Sequence, residues 1–451
     1  MASQLRPLFG EPLAQDFLQG AIEVAKFLQS KAIKTDQGTT WPEQPLLQTE
    51  HEAFLGRFSL YSGNTGIVYF FLQLAEATKE EQYIQEAVEG ANYIVNTWDN
   101  GSYIQSYGTI DKSHLCMVNG IAGVSYVISL VASATNSASS HDFAVSLTDE
   151  IVKSVSENNG EFYWTNDPGV VFDSGLILFL LQMAKTYSRP DWRALAIKVG
   201  YSILNKAIRV NHFQQRWPHV SPSSFGIPED SIIPNFFYGT SGVAFTLATL
   251  YEESNETPFL EAAVEGANYI QAIATLEDDK ALIPHSLPHL HDVHYLGLCH
   301  GAAGTIRLFY KLYKITQDKD YKQWIEKIVN GVVATGAPEL HSVGYWNTTC
   351  QCCGSAGLSN MFLGLWAEFK EERYLNYAKR VGKHLLSESA YEQCGVYWYQ
   401  AWDRKSPDVL TAKTGYYDGA AGNGLELLHI YLASIGQFNI LRLPEDPYPT
   451  K

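Results

Sequence analysis

The sequence predicts an all-α protein, an α/α toroid of seven inner and seven outer helices. Three observations lead there: a glycine-turn signature recurs seven times, an apolar run follows each turn, and the terminal copies are as apolar as the middle ones. The copies read "YSGNTGIVYFFLQLAEAT", "VNGIAGVSYVISLVASAT", "VFDSGLILFLLQMAKTY", "FYGTSGVAFTLATLYEES", "CHGAAGTIRLFYKLYKIT", "CCGSAGLSNMFLGLWAEF" and "YDGAAGNGLELLHIYLAS". Their second glycines are Gly66, Gly123, Gly175, Gly242, Gly304, Gly357 and Gly422, in steps of roughly 52 to 67 residues. Such a step is the size of two helices and their loops. The octapeptide "AVEGANYI" occurs at Ala87 to Ile94 and again at Ala263 to Ile270, at the same offset from a turn, so the units read as duplicates.

Taken in order, residues 1–50 read as an outer-layer helix and a loop. Residues 51–435 read as seven glycine-turn helical hairpins, and residues 436–451 as a C-terminal tail, all in one domain. Behind each turn the helix is apolar nearly all round, which implies burial on every side. A polar break such as "TKEEQY", "SNETPF" or "TQDKDY" follows, then a helix with the one-sided pattern of an outer layer. Strand signals are few and short. A hairpin that cannot bury its own face must stack on neighbours, and an open stack needs polar end caps. Neither the first nor the seventh unit is polar, so the stack is expected to close. The seven turns then converge at one end of the barrel, where glycines permit close approach and helix N-termini offer N–H groups and partial positive charge.

Bulk properties bound the function. Of 451 residues, 46% are apolar and 18% charged, a globular composition with ample core. Net charge is −16 with no basic stripe to offset it, which disfavours nucleic acid or an anionic membrane as partner. No apolar run reaches membrane-spanning length, and the N-terminal stretch lacks the h-region of an export signal. Six cysteines without such a signal point to the reducing cytoplasm, where clustered thiols are more often ligands or catalysts than disulfides.

Three of those six cysteines, Cys350, Cys352 and Cys353, fall within four positions of "TTCQCCGSAG". Cys299 stands in "LGLCHGAAG" at the mouth of the fifth inner helix, and Cys352 and Cys353 at the mouth of the sixth. A ring makes those mouths neighbours. Three thiols there suit a tetrahedral zinc ion with its fourth position open, the mark of a catalytic site. Spacing alone also fits buried cysteines without any ligand role.

The seven-fold glycine pattern, with "LCHGAAG" and "CCGSAG", resembles the lanthionine synthetase C-like family over about residues 50 to 435. The resemblance implies an α/α toroid with one zinc held at the fifth and sixth units, by Cys299, Cys352 and Cys353. The usual family motif at the sixth unit is cysteine, histidine, glycine. Cys353 replaces that histidine, as in the cyclase domains of certain bifunctional lanthipeptide synthetases. The activity implied is addition of a peptide cysteine thiol to dehydroalanine or dehydrobutyrine, giving a (methyl)lanthionine thioether. The substrate implied is a dehydrated precursor peptide, and a separate dehydratase is the implied partner.

Two departures bear on proton transfer. Where the family carries a histidine before the first glycine of the fourth unit, this chain has Tyr238 in "FFYGTSG". The third unit, "NDPGVVFDSG", lacks its first glycine, and Asp167 or Asp173 matches the family's acid. Leu298 stands where the family favours tryptophan. His300, Tyr238 and Asp167 are therefore the candidate catalytic residues. Asp418, at the seventh mouth, is a further acid. The histidine run "PHSLPHLHDVHYLGLCH" holds His285, His289, His291, His294 and His300, and its prolines predict a solvated loop. "YWNTTCQ" adds Trp346 beside Cys350. Two other roles remain open at this stage: glutathione addition to dehydroamino acids in proteins, and a zinc-holding, peptide-binding module without catalysis. A sugar hydrolase is disfavoured, because paired barrel carboxylates are few.

Overall fold

The computed structural model describes residues 12–46, 57–99, 112–219, 228, 230–340, 348–392, 394–401, 406 and 408–450. Within them the chain is an α/α toroid. Seven helices form the inner layer: α2 (Asn64–Thr78), α4 (Ile121–Thr135), α6 (Asp173–Tyr187), α8 (Thr240–Ser254), α10 (Ala302–Thr316), α12 (Ser355–Phe369) and α14 (Ala420–Ser434). Seven form the outer layer: α1 (Ala14–Lys31), α3 (Glu81–Thr97), α5 (Ala138–Lys153), α7 (Pro190–Asn205), α9 (Thr257–Ile273), α11 (Lys319–Ala334) and α13 (Glu372–Ser387). Each inner helix packs on the next, and α14 packs on α2, so the ring closes.

Inner helices are buried almost all round; in α8, Thr240 to Ala248 are all buried. Outer helices bury one stripe, as α13 does with Tyr374, Leu375, Ala378, Val381, Leu385 and Leu386. The repeated octapeptide lies in α3 and α9. Its glycines, Gly90 and Gly266, lie directly on Val68 and Ala244 of the inner helices and on the rings of Trp41 and Trp217. Six units are hairpins in sequence, whereas the seventh is not. Its inner helix α14 is covered by α1, from the other end of the chain. This joins the two ends of the sequence around a core of Phe17, Ala21, Val24, Phe27 and Leu28.

Among the described residues, five outer helices lead into a two-stranded antiparallel hairpin, for example Ile33–Thr35 with Gly38–Thr40 and Thr275–Glu277 with Lys280–Leu282. After four of these hairpins a tryptophan indole donates back to a carbonyl near the end of its outer helix: Trp41 to Leu28, Trp164 to Ile151, Trp217 to Ile203 and Trp398 to Leu385, at 2.7 to 2.9 Å. At Leu28 and Leu385 the bond serves a carbonyl of the last turn, whereas the Ile151 and Ile203 carbonyls accept it beside the N–H of Ser154 and Lys206. The tail re-enters the barrel. Tyr69 and Tyr126 donate to the Leu441 and Arg442 carbonyls, Arg307 donates to the Glu445 carbonyl, and Phe438, Leu443, Glu445 and Tyr448 are buried. No helix among the described residues is long and apolar enough to cross a membrane.

Candidate metal centre

The site is built on the seven turns that precede the inner helices. Their second glycines are demanded by space: a side chain at Gly422 would drive into the Tyr416 carbonyl oxygen. The helix N-termini are not free anion sites, because the preceding turn takes their first N–H groups. Ser355 donates to Thr348 at 2.9 Å and Ala303 to Leu296 at 3.0 Å.

The turns are tied to one another by backbone bonds that run around the mouth. Tyr61 N–H donates to Val118, Val171 to Phe237, Phe237 to Cys299, Cys299 to Cys352, Cys352 to Tyr417 and Tyr417 to Tyr61, at 3.0 to 3.2 Å. Cys299 and Cys352 thus hold equivalent places in a belt that runs from Val171 round to Val118, and Cys353 follows directly. Gly297 lies so close to the Cys353 backbone that any side chain there would collide with it. The sulfurs meet as a result. Cys299 Sγ is 3.3 Å from Cys353 Sγ, and Cys353 Sγ is 3.5 Å from Cys352 Sγ. All three ligand atoms lie within 4.8 Å of one another and could hold a metal ion. Four-coordinate zinc with Zn–S near 2.3 Å requires sulfurs about 3.8 Å apart, a spacing that the Cys353 sulfur approaches on both sides, so the donor set fits the ion. Hydrogen bonds from Cys352 and Cys353 push the Cys299 thiol down to about 5, and the same sharing raises Cys352 and Cys353.

Residues 55–439 match the lanthionine synthetase C-like protein family. The chain belongs to this family. Among solved structures it is similar to nisin cyclase, with a TM-score of 0.58 and 16% identity over 83% of this chain and 88% of that one. It is also similar to an unsaturated glucuronyl hydrolase specific for heparin, with a TM-score of 0.50 and 12% identity over 94% of this chain and 98% of that one. At these identities both likenesses concern the toroid alone. Comparison with curated proteins gave no match.

The candidate acids divide. His300 and Tyr238 stack at 5.1 Å, beside Cys299 in the fifth turn and at the equivalent place in the fourth. Burial first, then the Cys299 and Cys352 thiols, raise Tyr238 well above the ordinary phenol value. Its hydroxyl therefore keeps its proton. Asp167 is buried and its Oδ1 accepts the Gly169 N–H at 2.8 Å; Gly169 in turn lies against the backbone of Tyr238. Asp173 opens α6 and holds Thr165 through its N–H and hydroxyl, both at 2.8 Å, a structural engagement. The third turn is one residue shorter than the others, with Phe172 at the helix cap and its ring edge-on to Tyr238 at 6.3 Å. Asp418 is fully buried between Ser62 and Lys413, the ammonium at 3.0 Å, and burial lifts it to about 6.

The expected solvated histidine loop is only partly so. His291 is exposed, and His289 is exposed and pairs with Asp230 at 3.1 Å. His294 meets the Thr275 hydroxyl. His285, by contrast, is buried flat against His300 at 4.9 Å and edge-on to Tyr295 at 4.6 Å. Its N–H and carbonyl are held by Val293 and Asn235, and these backbone anchors override the loop signal of the prolines. A sequence cue existed: "WPH" at Trp217 to His219 and "IPH" at Ile283 to His285 recur in consecutive units, each directly after the second strand of its hairpin. His219 is indeed drawn in too; burial, then Arg216 and His300, lower it to about 4. Tyr61, two residues before the first glycine of its turn, shares a column with Cys299 and Cys352. Leu298 is buried, and Cys350 is buried with its sulfur 3.2 Å from the Thr348 hydroxyl. Trp346 lies outside the described residues.

Proposed function

We propose that the chain is a zinc-dependent cyclase that adds peptide cysteine thiols to dehydroalanine or dehydrobutyrine and forms (methyl)lanthionine rings. The observation that carries this reading is the convergence of Cys299, Cys352 and Cys353 at the mouth of a lanthionine synthetase C-like toroid. These three residues would hold zinc and leave its fourth position open. Zinc there would supply the Lewis acidity that keeps an incoming thiol deprotonated near neutral pH.

In the addition, a C–S bond forms at the β-carbon, the C=C π pair moves toward the carbonyl, and the α-carbon takes a proton. Tyr238, held protonated by its surroundings, and His300, clamped between Tyr238 and His285, are the donors placed beside the sulfurs. Asp167 supports the glycine turn that packs on Tyr238. The dehydrated peptide would come from a separate dehydratase. The test combines metal analysis with ring closure on a dehydrated cysteine peptide, read as loss of free thiol at constant mass. The parent should carry about one zinc and close the ring, and the Cys352→Ala, Cys353→Ala double variant should do neither. A fully zinc-loaded double variant would refute the ligand assignment.

A further inference from the structure

We infer that Phe172 is a specificity-determining residue of the proposed reaction, its ring receiving an apolar side chain next to the dehydroamino acid of the peptide. The belt fixes its place. The belt residues Phe237, Cys299 and Cys352 are each followed by a residue of the mouth: Tyr238, His300 and Cys353. Val171 holds the same belt place in the third turn, its N–H donating to Phe237 at 3.1 Å, and Phe172 follows it. Phe172 therefore stands in one row with Tyr238, His300 and Cys353. Counted back from the second glycine, Val171 would have taken that place. In six turns the row residue precedes a glycine that caps the inner helix, such as Gly239 or Gly301. In the third turn that glycine is missing, and Phe172 is itself the cap of α6.

The row is continuous: His300 stacks on Tyr238 at 5.1 Å, and Tyr238 meets the Phe172 ring edge-on at 6.3 Å. Phe172 is half-buried, as are Tyr238 and His300. Beyond it the row turns polar, with Asn119 exposed in the second turn and Ser62 half-buried in the first. Phe172 is the one hydrocarbon side chain of the row. Its position decides which part of a substrate it meets. It lies three turns from Cys353 in a ring of seven, across the mouth from the sulfurs, and it flanks Tyr238, a donor proposed for the α-carbon. The attacking sulfur occupies the metal side, so Phe172 faces the acceptor side of the peptide. A hydrocarbon ring offers nothing to the thiol or the proton; it gains free energy by shedding water against another apolar surface. Covering a Leu or Phe side chain is worth about 10- to 100-fold in an equilibrium.

This inference rests on the cyclase reading. The test compares two dehydroalanine peptides with one cysteine each, identical except that leucine flanks the dehydroalanine on both sides in one and asparagine in the other. The zinc-loaded whole chain is assayed on both, and kcat/KM for ring closure is read as loss of free thiol. The parent should favour the leucine peptide by about 10-fold or more. Phe172→Leu should keep most of that preference. Phe172→Asn, which places in the third turn the residue found at the same place in the second, should bring the ratio close to one. A parent without preference, or a Phe172→Asn chain with the parent's ratio, overturns the role of Phe172 and leaves the cyclase reading standing. A Phe172→Asn chain that loses its helical signal makes the ring a packing element of the turn and overturns the role as well. A parent that closes neither ring refutes the cyclase reading, and this inference with it.

Discussion

Chelating the metal from a zinc-loaded preparation should abolish thioether formation and leave the toroid standing. The ring is closed by α14 on α2 and α1 and by the backbone belt, none of which uses a sulfur. The metal-free thiols are also not stranded, because the Cys353 sulfur lies within hydrogen-bond reach of both Cys299 and Cys352, at 3.3 and 3.5 Å. Zinc at 100 to 1,000 times its dissociation constant adds about 2.7 to 4.1 kcal/mol. Unfolding a chain of 451 residues carries an entropy of about 0.95 kcal/mol/K, from roughly 2.1 cal/mol/K per residue. The thermal midpoint should therefore drop by only about 3 to 4 °C. Circular dichroism at 222 nm, followed through a melt before and after a strong chelator, reads both quantities. Loss of most of the helical signal at 25 °C would mean that the metal holds the fold, and the reasoning from belt and ring closure would be wrong.

Two further outcomes follow from individual side chains. Tyr238→Phe and His300→Ala should each slow ring closure with zinc content intact, one of them by the about 10² to 10⁴ typical of a general acid; parent rates for both would move the donor role to Asp167, Asp173 or Asp418. Burial lifts Glu426, which accepts from Gln351 at 3.0 Å, to about 7 against an ordinary 4.5. The folded state binds that proton more tightly, so its stability contribution is complete below pH 4.5 and is lost as pH rises through 7. Glu426→Gln should remove that loss, worth about 3 kcal/mol above pH 7, and flatten the fall of thermal midpoint between pH 4.5 and 8; equal slopes for parent and variant would contradict it.

How much of the site the sequence disclosed can be followed residue by residue. Cys299, Cys352 and Cys353 were legible because each sits at a fixed offset from a glycine, and a ring of equal units turns that offset into a position. Tyr61 obeyed the same offset but carried no ligand chemistry of its own, so nothing singled it out before its ring was seen against Tyr417. His285 was hidden by its neighbours: prolines and four more histidines argue for solvent, and only the hold of Val293 and Asn235 on its backbone buries it. Tail residues such as Glu445, which takes the Tyr417 hydroxyl at 2.6 Å, gave no periodic signal at all.

The sequence by itself determined the ring, because burial on every side of seven equivalent helices has one economical solution, and it placed three thiols at adjacent mouths. Tertiary structure alone decided which elements complete the seventh unit, which rings stack on His300, and that the chain's own end fills the barrel. The physical reason lies in the range of each signal. A repeat encodes contacts one unit away, at the same offset every time. The contacts of α1 with α14 and Glu445 with Tyr417 join parts of the chain that no period relates, and they exist only once the ring has closed.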